Sequence, residues 1–492
     1  MSLNLISDAW IPVVDCNGAR GVIAPWQMAD PDLVRTDWPR PDLDIACLEL
    51  LIGLVRLSDP PVDDDDWEAR QIPKSERLRG RLAPFSDAFE LLGDGPRFMQ
   101  ELGGLEAEVR PPGALFIDSG GDGGTLMVRE ARYGALDLPT AAMALFTIQT
   151  QAPSGGRGNL TSLRGGGPMI TLVDPGQGLW PLIWTNVPAG EPTAPNILPW
   201  MRPTISSEGG RQYFPHQGHP AEVFFGMPRR LRLVSEGDSV TGVMQRPAGT
   251  KYAGWRHPLT PYYRVKPGDD PLPVRPRAGL FGYRNWLGIV AAMPEGELRE
   301  RARMVDEWDE RGDRKRAQVI VAGWAMENMK ARDFILSRAP LVDLDEERAL
   351  CLAGIIEVAE LLASVMRGAL APVLAEGEAR EAAREAFFVR TQGAFEKRLA
   401  DLVALPAEPE VFESARVGLV RSWLDDMRRA ALTIFEELAL PGLADRPTVE
   451  QVRIVKAHAA LVAAFAGRTT QGRKAWGKLI LDPPAPRGKE AA

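Results

Sequence analysis

Histidine and cysteine are scarce in this 492-residue chain, with four of the first and three of the second. Cys16, Cys47 and Cys351 lie far apart and form no CxxC pair. Such spacing indicates neither a zinc cluster nor a disulfide framework, and it suits a reducing cytoplasm. His216 and His219 share the loop FPHQGHP, but two histidines without a third ligand read as a surface loop before a metal site. Nucleotide fingerprints are missing too: no GxGxxG follows a strand, and no GxxxxGK[ST] occurs. No serine or cysteine stands in a nucleophile elbow. From these absences we expect no cofactor, no metal and no catalytic residue.

Long apolar runs are lacking as well. No uninterrupted stretch of about 18 apolar residues is seen, so no membrane span is expected. The N-terminal MSLNLISDAWIPV is broken by Asp8 and Pro12 and lacks a signal-peptide pattern. Positive charge is not in excess either. A formal net charge of −8 excludes coating nucleic acid by bulk charge, while leaving room for a local site. The run Asp63, Asp64, Asp65, Asp66 lacks the alternating spacing of a calcium loop and reads as a solvated turn.

What is present falls into two textures. Residues 1–342 are rich in glycine, proline and tryptophan, with short apolar runs such as LFIDSGGDGGT and RRLRLVSEGDSVTGVMQ. That pattern predicts a large mixed α+β domain with many turns. Within it, Pro41 opens an apolar run through Leu54 and Val55 that stops before Pro60, predicting a buried helix. Residues 343–482 hold four long segments with apolar residues at helical spacing, separated by Pro406, Pro409, Pro441 and Pro447. They predict a C-terminal four-helix bundle. The tail 483–492 is expected to be disordered.

The segment QAPSGGRGNLTSLRGGGP, residues 151–168, carries six glycines and two arginines with no acid. Glycine lets a backbone approach a ligand closely, and arginine pairs with phosphate through a fork of donors. A nucleic-acid loop and a flexible turn before a strand are both open on composition alone. Between 229 and 277 there are ten basic residues against four acids, an excess of six within an acidic chain.

In order, NLISDAWIPV, PRPDLDIACLELLIGLV, QAPSGGRGNLTSLRGGGP, GTKYAGWRHPLTPYY and AGWAMENMKARDF resemble landmarks of the CasA family, the large subunit of the type I-E CRISPR Cascade surveillance complex. The likeness covers nearly the whole chain. It implies a non-catalytic subunit that recognises the protospacer-adjacent motif in double-stranded DNA and promotes opening for guide RNA pairing. Implied partners are the other Cascade subunits, the guide RNA, the target duplex and a recruited nuclease-helicase that cuts. The family places three elements against the minor groove of the motif duplex. Its glycine-rich loop falls on Gly155, Gly156, Arg157 and Gly158, with Arg157 where the family has a glycine. Its lysine falls best on Arg246, counting back from Trp255, and next on Lys251. Its hairpin wedge falls on Glu327, Asn328 and Met329, with Asn328 at the tip in place of glutamine. A docking loop falls near 126–140. The minor groove shows a degenerate code, so such a reader accepts several related motifs. A purely architectural subunit and a hydrolase with an unrecognised site are the rival readings.

Overall fold

The computed structural model describes residues 2–119, 132–156, 158–293, 298–311 and 316–482. Arg157, residues 126–131 of the expected docking loop and the tail 483–492 lie outside them. The chain divides into two compact units. Met1–Leu280 and Leu298–Leu341 form the first, Phe281–Glu297 and Val342–Ala492 the second. This differs from a single cut at 342/343, since Phe281–Glu297 and Val342 belong with the helical unit.

The first unit is mixed, as its turn-rich sequence implies. Its central helix is Pro41–Ser58, which starts on a proline with Asp42 and Asp44 in the first turn and stops before Pro60. Proline suits the first helical position and acids favour the positive N-terminal end. Every residue from 45 to 58 is buried, so the helix is wrapped on all sides. Gly53 permits close packing, since a Cβ there would lie 2.9 Å from Phe224. A second helix, Leu138–Gln151, is capped by Asp137, whose carboxylate accepts the Thr140 N–H at 2.7 Å. It packs on the aromatic cluster of Phe89, Phe98, Trp200 and Phe225, with Phe146 stacked on Phe98 at 6.3 Å.

Two of the antiparallel hairpins among the described residues of this unit carry residues of the expected site. The shorter joins Arg230–Glu236 to Ser239–Arg246, and Val109–Arg110 and Leu136–Asp137 pair along its second strand. The longer joins Ala317–Glu327 to Lys330–Leu341, with Ile170–Asp174 on the far side of its first strand. The acidic run at 63–66 is a helix start, not a turn. Asp63 accepts the Asp66 N–H and caps Asp64–Ala69, where consecutive acids meet the positive helix end.

In the second unit Glu346–Ala369, Glu378–Val403, Pro409–Ala439 and Thr448–Phe465 are the four long helices, followed by a shorter Thr470–Lys478. Asp345 caps the first by accepting the Arg348 N–H at 2.8 Å. Among the described residues Glu346–Ala369 is the one helix long and apolar enough, by length and composition alone, to cross a membrane. Its apolar side, including Ile355, Ile356, Leu362 and Met366, is buried among its neighbours, which accounts for the composition as bundle core. The segment 281–293 supplies Tyr283, stacked on Phe395 at 4.4 Å, and Trp286, edge-on to the same ring at 5.1 Å.

Candidate nucleic-acid interface

The glycine-rich segment is a compact, internally bonded loop. The Gly155 N–H donates to the Asn159 carbonyl at 3.1 Å, the Asn159 N–H to the Gly156 carbonyl at 3.0 Å, and the Asn159 side-chain amide to the Gly155 carbonyl at 3.1 Å. Two glycines are required for different reasons. Gly158 has φ of +79° and a Cβ there would lie 2.5 Å from Pro247. Gly156 has φ of +83°, yet a Cβ there would meet nothing within 4 Å, so its backbone faces open space. Left-handed backbone is strained for ordinary side chains but open to glycine, asparagine and aspartate.

The loop lies against the end of the shorter hairpin. The Ala248 N–H donates to the Gly158 carbonyl at 2.9 Å, and the Gln245 amide to the Asn159 side-chain oxygen at 2.9 Å. Ala248 itself has φ of +64°, an unusual value for alanine, so the chain turns sharply at the contact. Arg246 is exposed, and its Nε donates to the Glu106 carbonyl at 2.6 Å. Lys251 is also exposed, on backbone that accepts the Tyr213 N–H at 2.8 Å. Gly155, Gly156, Gly158 and the segment carrying Arg246 therefore meet in space, although some ninety residues separate them. Lys251 follows a few residues on.

The far end of the same segment touches the longer hairpin. Gly167, at φ of +61°, is where a Cβ would lie 2.5 Å from the Trp324 carbonyl and 2.8 Å from the Met326 Cγ. Beyond Met326 the strands close by Glu327 pairing with Lys330. Asn328 and Met329 form the two-residue turn, with φ of +49° and +63°. Two positive φ values match the type I′ turn that suits hairpin twist. Asn328 is at home there and Met329 is not. All three residues 327–329 are exposed, and Glu327 pairs with Arg332 at 2.8 Å. The position that the resemblance gives to the hairpin tip is a two-residue turn in this structure.

Several basic residues serve the fold instead. Arg164, the second arginine of the loop, is buried and pairs with Glu49 at 2.7 Å. Arg229 is buried, Arg230 pairs with Glu101, and Arg256 and Arg264 share Glu300. The positive excess at 229–277 is therefore smaller at the surface than the count implies. Lys266, Arg275 and Arg277 remain exposed, without an ion pair among the described residues.

Sequence reading missed the node that anchors the loop. Glu49, within the buried helix, accepts both Arg164 nitrogens and the Gln151 amide at 3.3 Å. Gln151 begins the glycine-rich segment, so one carboxylate holds it at two points. His257 lies 4.0 Å from Glu49, and burial, with the Arg164 charge, pushes its pKa well below the ordinary value. Its Nδ1 accepts the Leu259 N–H at 3.2 Å, so the neutral ring carries its proton on Nε2. The available signal was an acid inside the apolar stretch beyond the first turn of the helix, which has to be paired. Neither His216 nor His219 is placed for a metal: among the described residues no group of three metal-ligating side chains forms, and the His219 Nδ1 accepts the Ala221 N–H.

Comparison with known proteins places this geometry. The family described as CRISPR-associated protein Cse1 matches residues 4–434. The structure of Thermus thermophilus CasA (Cse1) superposes with a TM-score of 0.70 at 21% identity, over 97% of this chain and 100% of that one. Thermobifida fusca Cse1 gives 0.72 at 18% identity, over 97% and 98%. A chain from a structure described as a CRISPR RNA-guided surveillance complex gives 0.72 at 15%, over 94% and 99%. At such identities the structural likeness establishes the fold, and the family match over most of the length establishes kinship: the chain belongs to the CRISPR-associated Cse1 family.

Proposed function

We propose that this chain is the non-catalytic large subunit of a Cascade surveillance complex, and that it reads the protospacer-adjacent motif of double-stranded DNA. The observation that carries this reading is the convergence of three exposed elements. A single glycine-rich segment touches the Arg246 end of one hairpin through Gly158 and the base of the Asn328 tip through Gly167. Exposed backbone at Gly156 and a protruding hairpin turn suit a minor groove, where bare amides, a cation and an amide side chain read a degenerate code. In this reading the Asn328 tip pushes between base pairs beside the motif, at a few kcal/mol per unstacked step, and starts strand separation for guide pairing. The other subunits and guide RNA complete the assembly in the cytoplasm, and a recruited nuclease-helicase cuts.

The test is binding of motif-bearing and motif-free duplexes by the complex assembled with variants of this chain. Gly156→Asn and Gly156→Asp have nearly the same shape, both tolerate positive φ, and the site is sterically open. Only aspartate adds a negative charge where phosphate would come. We expect Asn to bind the motif duplex within about threefold of the parent and Asp to lose roughly tenfold or more, with assembly intact in both. Equal binding by all three, with or without the motif, would leave a purely architectural subunit as the better reading.

A further inference from the structure

Arg229 sits at the neck of the glycine-rich loop. Its Nη2 donates to the Pro153 carbonyl at 2.5 Å and its Nε to the Leu160 carbonyl at 3.4 Å, so the guanidinium spans both flanks of 154–159. Nη2 lies 3.1 Å from the point where a Cβ on Gly155 would stand. The residue is 7% exposed. Its backbone is locked by a reciprocal pair with Gln149, whose side-chain oxygen accepts the Arg229 N–H at 3.1 Å and whose amide donates to the Arg229 carbonyl at 2.9 Å. Two facts go beyond a structural clasp. Among the described residues no carboxylate pairs with Arg229, whereas Arg164, the other buried arginine of this region, has Glu49. Arg110 stands nearby as a second positive charge.

A buried charge is ordinarily neutralised by a partner, because desolvation is costly otherwise. Two carbonyl dipoles satisfy donors on this guanidinium but do not cancel its charge. Burial and Arg110 lower its pKa to about 10, so it stays protonated at neutral pH. We infer that Arg229 is a positioning residue of the DNA-facing loop, which both closes the loop's neck and places a fixed, weakly screened positive charge beneath the exposed backbone at Gly155 and Gly156, toward a phosphate of the bound duplex. This rests on the reading of the loop as a DNA surface. Gly155 fits the scheme, since any side chain there would push against the guanidinium or Asn159.

The experiment compares Arg229→Lys, which keeps the charge, with Arg229→Gln and Arg229→Met, which remove it. Each is placed in the assembled complex, and binding of the motif duplex is measured at two salt concentrations after the melting temperature of each chain is read. Gly156→Asp is run alongside. A purely structural clasp would make the three variants alike or rank them by melting temperature. The inference expects Lys to stay within about threefold of the parent while Gln and Met lose roughly tenfold, the loss persisting at higher salt because a buried charge is poorly screened. Should one neutral variant fail to fold, the other carries the comparison. Should both, Lys binding as weakly as Gly156→Asp would count against a role for the charge. Equal losses for Lys, Gln and Met overturn the inference, as does parental binding by Gln and Met while Gly156→Asp binds weakly. If Gly156→Asp also binds normally, the DNA-facing reading of the loop has failed, and the Arg229 inference with it.

Discussion

Glu49 shows how one side chain organises a surface it never reaches. It lies inside a helix buried from 45 to 58, and its carboxylate is satisfied by Gln151 at the start of the glycine-rich segment and by Arg164 within it. Breaking a buried pair by removing one partner typically costs about 3–5 kcal/mol, because the other charge is left uncompensated. Arg164→Met should therefore destabilise the first unit by about that much, and Glu49→Gln in the same chain should recover most of the loss. Denaturant unfolding of the single and double variants checks this; losses that simply add would show that the two charges do not pair. His257, beside this pair, gives a pH signature. Its folded pKa is depressed by burial and Arg164, while the unfolded chain titrates near 6.5. Below that value the unfolded state binds the extra proton, so stability is complete above about pH 6.5 and falls as pH drops, by at most about 1.4 kcal/mol per unit from this group. His257→Asn should flatten the slope between pH 7.5 and 5.5 in urea titrations. A weaker component remains with His219, which partial burial shifts the same way.

At the scale of elements, the glycine-rich loop was legible because its composition is local: six glycines in eighteen residues are visible without any long-range information. The tip at Asn328 came from the family resemblance alone, since Asn-Met carries no glycine to mark a two-residue turn. Their meeting was not legible. Gly158 touches Ala248 and Gly167 touches Met326, contacts that span ninety and more residues and have no periodic signature. Ala248 adopts a positive φ where a glycine would have advertised the turn. The hairpin tip makes a prediction of the same kind. Met329 holds a left-handed conformation that costs a non-glycine residue roughly 1–2 kcal/mol. Strain of this sort persists at functional sites. Met329→Gly should therefore stabilise the hairpin by on the order of 1 kcal/mol. It should at the same time weaken strand opening, because the tip loses its apolar wedge. Asn328→Gly, which accepts the positive φ and removes the amide, should lower opening with little change in melting. A fluorescent base analogue beside the motif reports opening, and unchanged opening in both variants would remove the tip from the mechanism.

Across the whole molecule the helical unit was the most legible part, since apolar spacing alone marks Glu378–Val403, Pro409–Ala439 and their neighbours. What spacing did not mark is the contribution of Phe281–Glu297, which has no helical period and precedes the bundle by some fifty residues. Its role is packing. Tyr283 is fully buried against Phe388, Phe395 and Trp423, and its hydroxyl meets the Thr391 hydroxyl at 2.7 Å. Trp286, 3% exposed, covers another edge of Phe395. The fragment 342–482 keeps four long helices and a shared core, so alone it should be helical and melt cooperatively. It also lacks two large aromatic plugs, and removing a buried aromatic typically costs about 3–5 kcal/mol. The bare fragment should therefore bind the dye reporters of exposed apolar surface and melt well below the same fragment supplied with the synthetic peptide 281–293. A Tyr283→Ala peptide should restore little of the difference. If the parent peptide fails to raise the melting temperature, the segment's packing does not stabilise the bundle; if the fragment is unfolded with or without it, the helical unit does not fold by itself.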